Sequence, residues 1–235
     1  MMGDEVFGGF DESRRAFLKK ALGLAFVAPA VVSFTMDALF EPAQAVPNMT
    51  CPNQTFPNQT CTNTITGNYN GPISVTSGTM CIKNATINGS VTVSNGASLS
   101  VENSTIKGSL NSNHGDTLWV TGSTITGPVT VNGNTGFVLI GGNGVNGAAG
   151  NTLGGGLTVF GNENGVRIDG NQIKGTVTVS NNSGGCGFDP VTGAPGAIIV
   201  DHNTIGGSLS GTGNNPPPQG TNSVAGSTGG QFRVT

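Results

Sequence analysis

Charge is what this chain has least of. Lys, Arg, Asp and Glu together make up 9% of its 235 residues, and the net charge is −3. Neutralising a phosphate backbone or an anionic bilayer takes clustered Lys and Arg, so nucleic acid and charged membrane surfaces are not expected as partners. Aromatic residues are scarce as well, with a single Trp and a single Tyr. The four cysteines, Cys51, Cys61, Cys81 and Cys186, contain no C-x2-4-C pair and have no histidine beside them, which argues against a cysteine zinc module. No serine or cysteine nucleophile motif, phosphate-cradling loop or dinucleotide fingerprint is present. Helical periodicity is absent too, and the density of Gly and β-branched residues excludes a helical fold.

What remains is a repeat. Residues 84–131 write one short pattern several times, Asn-x-Thr-Ile-x-Gly-x-Val-x-Val followed by a polar turn and then apolar-x-apolar, with anchors Ile87, Ile106 and Ile125 each 19 residues apart. Its first half recurs at Ile65, Ile87, Ile106, Ile125, Leu153, Ile173 and Ile205. The second half recurs at Met80/Ile82, Leu99/Val101, Leu118/Val120, Val138/Ile140, Val166/Ile168 and Ile198/Val200. Apolar residues alternate with small polar ones inside each half, as in Val91-Thr92-Val93, which predicts short strands with one face buried and the other wet. Such strands bury nothing alone, but stacked at about 4.8 Å per coil they share a continuous core. Nineteen residues at ~3.3 Å each give a perimeter near 60 Å, enough for a three-sided coil. The sequence therefore predicts an all-β parallel β-helix of about six coils over residues 65–210. Two longer steps carry the inserts 141–150 and 181–196, expected to bulge from one edge.

Two further segments flank the repeat. Ser13-Arg14-Arg15-Ala16-Phe17-Leu18-Lys19 matches the twin-arginine export signal, and it is followed by a moderately apolar run and by Ala43-Gln44-Ala45, a small-x-small site for signal peptidase. The run is shorter than the ~18–20 apolar residues that span a bilayer. Residues 1–45 are thus expected to be a cleaved signal, with no permanent membrane anchor and a periplasmic, cell-surface or secreted location. In that setting the four cysteines favour disulfides over zinc, without the sequence choosing a pairing. A local Cys51–Cys61 bridge would clip an N-terminal cap over residues 46–64. The Gly/Pro/Ser-rich stretch 211–235 reads as a tail or loose cap anchored by Phe232 and Val234.

Segments such as Val166-Arg167-Ile168-Asp169-Gly170-Asn171-Gln172-Ile173 and Ile198-Ile199-Val200-Asp201-His202-Asn203-Thr204-Ile205 resemble the repeats of right-handed parallel β-helix proteins, the pectate-lyase-like superfamily. That resemblance implies asparagines stacked in the turns, here read as Asn84, Asn103, Asn171 and Asn203. A left-handed helix is the rival, because Ile87, Val93 and Leu99 are six apart, but steps of 19 and 20 depart from its 18-residue coil. The likeness covers residues 62–210 and speaks to architecture, since this fold hosts lyases, hydrolases, adhesins and scaffolds alike.

Three sets of residues are candidates for function. One repeat position holds Lys83, Glu102, Thr121, Gly141, Asp169 and Asp201, so Asp169 and Asp201 are expected to stack on adjacent coils. There they would share a proton, bind a cation such as Ca2+, or act as an acid and base pair beside Arg167, Lys174 and His202. The plainer alternative is a pair of solvated turn aspartates that satisfy backbone amides, and it is the better supported. Trp119 is expected to point outward, where it would stack on a sugar or pack under a loop. A third set is the outward column Thr92, Thr130, Thr158 and Thr178, which resembles the ice-binding faces of some antifreeze proteins but is interrupted by Asn111, Pro128 and Phe160. The insert Gly141-Gly142-Asn143-Gly144-Val145-Asn146-Gly147 lacks the carboxylate of a calcium-binding repeat and is expected to be a loop. No cofactor is specified. The expected function is an exported binding or cell-envelope surface module directed at polysaccharide or another extended surface, with a polysaccharide-active enzyme and an ice-binding protein as alternatives.

Overall fold

The repeat closes into a parallel β-solenoid because each apolar pair finds its partner one coil away. The computed structural model describes residues 60–142, 149–185 and 196–232. Among them there is no helix, and every strand pairing is parallel. Face 1 is an eight-stranded sheet of Ile73–Val75, Val91–Ser94, Leu110–Asn113, Val129–Asn132, Leu157–Phe160, Val177–Ser180, Leu209–Gly211 and Thr228–Gly230. Face 2 stacks the first half of Thr79–Asn88 with Ser98–Glu102, Leu118–Thr121, Val138–Gly141, Val166–Asp169 and Ile198–Asp201. Face 3 stacks the second half of Thr79–Asn88 with the two-residue strands Thr105–Ile106, Thr124–Ile125, Thr152–Leu153, Gln172–Ile173, Thr204–Ile205 and Ser223–Val224. Each coil runs from face 3 to face 1 to face 2.

The core is a column of small aliphatic side chains. Ile87, Ile106, Ile125, Leu153, Ile173 and Ile205 enter it from face 3, while Leu99/Val101, Leu118/Val120, Val138/Ile140, Val166/Ile168 and Ile198/Val200 enter from face 2, all fully or almost fully buried. Each such side chain contributes roughly 1.5–3 kcal/mol of burial, and the β-branched shapes suit a pleated wall.

Several expectations are corrected by the pairing. The solenoid has eight coils rather than about six, because the sheets continue through Ser223–Val224 and Thr228–Gly230. These last strands carry little apolar surface; backbone hydrogen bonds to the preceding coil and the packing of Val224 and Phe232 against the core hold them instead. At the other end, Ile65 stands over Ile82 and Tyr69 over Ile87, so Ile65 belongs to face 2 rather than to the face 3 series. The two inserts leave from different corners: 141–150 joins face 2 to face 3, and 181–196 joins face 1 to face 2. Cys61 is bonded to Cys81, with Cα atoms 5.6 Å apart and a sequence separation of 20, which rules out the local Cys51–Cys61 bridge. In the strand register it is Thr64 that stands opposite Cys81, so Cys61 reaches Cys81 from just before the first strand, within the distance a disulfide needs.

The corners are where the fold is most specific. Two successive residues turn the chain from face 2 to face 3. The first adopts positive φ, as at Asn84 (49°), Asn103 (47°), Gly122 (57°), Gly170 (69°) and His202 (52°). Asn and Gly tolerate that left-handed conformation best. The second turns inward and is buried: Ala85, Ser104, Ser123, Asn151, Asn171, Asn203. Asn84 and Asn103 therefore do not share a position with Asn171 and Asn203 as expected; they lie one residue earlier, because the corner uses one asparagine for its dihedral and the next for its hydrogen bonds. Asn171 illustrates the inner ladder. Its Nδ2 donates to Ile140 O (2.9 Å) and Asn203 Oδ1 (2.8 Å), and its Oδ1 accepts from the N–H and Nδ2 of Asn151 (3.0 Å each). A second ladder, Asn134, Asn162, Asn182 and Asn214, lines the corner between faces 1 and 2 and ends on Gln231.

These ladders replace the solvent that a buried corner excludes. Asn171→Ala removes one rung and leaves carbonyl and amide groups of neighbouring coils unpaired, so chemical denaturation is expected to show a loss of about 3 kcal/mol. Reducing Cys61–Cys81, or replacing both by Ser, frees a loop of one coil and is expected to cost roughly 3 kcal/mol in the same assay.

Candidate functional site

Strand alternation places Arg167 and Asp169 on the outward side of Val166–Asp169, alternating with inward Val166 and Ile168. Asp169 pairs in register with Asp201 on the next coil, as expected from their shared repeat position. The same column contains Lys83 over Glu102, an exposed ion pair of 3.4 Å, and Gly141 over Asp169. Gly141 has φ of +119°, and a Cβ there would lie 1.8 Å from the carbonyl oxygen of Asp169, so only glycine fits above the aspartate.

The two carboxylates differ in environment. Asp169 is only 1% exposed, and its Oδ2 receives the guanidinium of buried Arg167. Asp201 is partly exposed, and its Oδ1 accepts the backbone N–H groups of His202 (3.0 Å) and Thr221 (2.7 Å). His202, 62% exposed, turns Nδ1 toward both, 2.9 Å from Asp201 Oδ2 and 3.5 Å from Asp169 Oδ1. The reading of two solvated turn aspartates thus holds for Asp201, which caps backbone amides, and fails for Asp169, which is buried against a cation. Lys174 is not part of the group: it follows Gln172–Ile173 on face 3, exposed, beyond the Asn171 corner. Asp169, Asp201 and His202 are the one group of three potential metal ligands among the described residues, their ligand atoms all within 4.8 Å of one another.

Trp119 lies on the outward column of face 2, between Ser100 and Leu139, and is half-buried. Leu139, an outward residue of that same column, is fully buried. The threonine column is real and straight: Ser74, Thr92, Asn111, Thr130, Thr158, Thr178 and Ser210 follow one another in register up face 1. Two features escaped the sequence. Face 3 carries a second outward column, Thr86, Thr105, Thr124 and Thr152, then Gln172 and Thr204. Its strands are two residues long, too short for alternation to be visible, although the Thr-Ile pair in each repeat was the available signal. The other is Phe160, 44% exposed on face 1 between Asn132 and Ser180, which reads in sequence as a blemish in the threonine surface.

Arg14, Arg15, Ala43 and Ala45, together with Cys51, Cys186 and most of the 141–150 insert, lie outside the described residues. No family model, curated protein or solved structure matches the chain.

Arg167 compensates a buried carboxylate, so its loss strands a charge. Arg167→Met is expected to destabilise the fold by about 3–5 kcal/mol in urea unfolding. The double variant Arg167→Met/Asp169→Asn, which removes both charges, is expected to recover at least half of that loss.

Proposed function

We propose that this protein is an exported β-solenoid of the pectate-lyase-like type that binds an extended polysaccharide or cell-envelope surface through face 1 and does not turn it over. One observation carries the reading: face 1 presents a ladder of hydroxyl and amide side chains across seven successive coils, Ser74 to Ser210, with exposed Phe160 beside Thr158. A flat wall of short hydrogen-bonding groups around one aromatic ring suits the alternating hydroxyl and apolar faces of a sugar chain. Phe160 takes the role first considered for Trp119, because it is exposed whereas Trp119 is half-buried. The enzymatic alternative is disfavoured by the chemistry of the aspartates. A carboxylate pair that works as acid and base needs both groups open to substrate, whereas Asp169 is buried and spends one oxygen on Arg167. Export by the twin-arginine route follows from Arg14, Arg15 and the Ala43-Gln44-Ala45 site.

Ice binding is the second reading, favoured by the straight threonine columns on faces 1 and 3. Hydroxyls recur along them at the ~4.8 Å spacing of stacked strands. Lys107 and Lys174, one residue past Ile106 and Ile173 on face 3, interrupt that surface with long charged side chains.

Retention on insoluble polysaccharides distinguishes these readings. The parent protein is expected to be retained without releasing soluble sugar, and Phe160→Ala to weaken retention about five- to tenfold, the size of one lost aromatic contact. Product release abolished by Asp201→Asn would instead establish an enzyme. Absence of retention together with ice shaping lost in Thr105→Leu/Thr124→Leu would establish the ice-binding reading.

A further inference from the structure

The corner beneath Gly141 is organised as a set of ligands rather than as a closed ion pair. Each aspartate has one oxygen held by its own surroundings and a second that faces His202, and of these second oxygens only that of Asp169 lacks a hydrogen-bond partner. Arg167 holds Asp169 Oδ2, and the N–H groups of His202 and Thr221 hold Asp201 Oδ1. The remaining oxygens, Asp169 Oδ1 and Asp201 Oδ2, both face His202 Nδ1. Asp169 Oδ1 is buried and has no hydrogen-bond partner; the imidazole nitrogen, at 3.5 Å, is too far for a good one. A buried carboxylate oxygen left without a donor is costly, and the unmet demand points into the space shared with Asp201 and His202.

We propose that Asp169 Oδ1, Asp201 Oδ2 and His202 Nδ1 bind one first-row divalent transition metal ion of the Zn2+ type. Nitrogen–oxygen separations of 2.9 and 3.5 Å are those of ligands sharing an ion at about 2.0–2.2 Å, the range of Zn–N and Zn–O bonds. An imidazole donor favours Zn2+ and its neighbours over Ca2+ and Mg2+, which prefer all-oxygen shells. The outer partners are already in place, since Arg167 and two backbone amides fix the carboxylates as outer-shell groups do in metal sites. Three protein ligands leave a position open toward solvent on the exposed His202 side. His202 stands at a corner position that Asn84 and Asn103 fill in earlier coils, so the imidazole is not needed to make the turn. This assignment does not depend on what face 1 binds.

The test is a titration of the untagged full-length chain, stripped with chelator, with Zn2+ and separately with Ca2+, followed by calorimetry and thermal melting, and with Co2+ followed by visible absorption. One Zn2+ per chain is expected, with a raised Tm, tighter binding than Ca2+, and Co2+ bands of a nitrogen–oxygen site. His202→Asn introduces a residue that the same corner accepts in other coils; it is expected to fold with unchanged circular dichroism and to bind Zn2+ about 100-fold more weakly. His114→Asn, at a different corner, is expected to bind as the parent does. Failure of the folded parent to take up Zn2+, tighter binding of Ca2+, or His202→Asn affinity within threefold of the parent would overturn the site.

Discussion

Everything in this molecule depends on the parallel hydrogen bonding of each coil to the next. A residue's neighbours in space are those one repeat away, so each face is a set of straight columns. A column of isoleucine is a core and a column of threonine is a surface. The constraint also explains why so little charge is needed. Backbone groups are satisfied by the adjacent coil, and the corners, where a three-sided chain would otherwise bury unpaired amides, are satisfied by asparagine. The Asn151–Asn171–Asn203 ladder, whose side chains bridge consecutive coils at 2.8–3.0 Å, is thus as much a part of the core as Ile173 or Val200.

This economy sets the terms for function. Surfaces built from repeated small polar side chains are flat, and flatness suits an extended partner better than a small molecule. Departures from the repeat then become informative. Phe160 is an aromatic in a hydroxyl ladder, and His202 is an imidazole where asparagine or glycine is standard. Arg167 and Asp169 are a buried ion pair on the outward side of a strand. The first modifies a flat face, while the others converge on one corner. The two inserts leave from the corners on either side of face 2, so the outward column of Trp119, Leu139 and Arg167 lies between them in the wrap of the chain.

The core was legible in the sequence because its signal is local. The 19-residue step and the apolar alternation named Leu118, Val120, Ile125 and their equivalents without reference to the rest of the chain. They also aligned Asp169 with Asp201 and the members of the face 1 threonine column. Boundaries were harder. Ser223–Val224 and Thr228–Gly230 complete a coil on backbone hydrogen bonds with almost no apolar pattern, and Ile65 sits in the wrong phase for the series it resembles. The corners were blurred by one residue because asparagine serves two purposes there, as a left-handed residue at Asn103 and as an inward ladder rung at Asn171.

The sequence by itself determined the all-β architecture, its coil length, its buried columns and the vertical order of side chains on each face. All of these follow from periodicity, which a linear chain displays directly. Only the tertiary structure decided the partner of Cys61, the burial of Asp169 against Arg167, the exclusion of Lys174 from that group and the exposure of Phe160. Each of those depends on how far a side chain lies from its neighbours around a corner and on what covers it. Sequence spacing fixes position along a column, but it carries no information about depth.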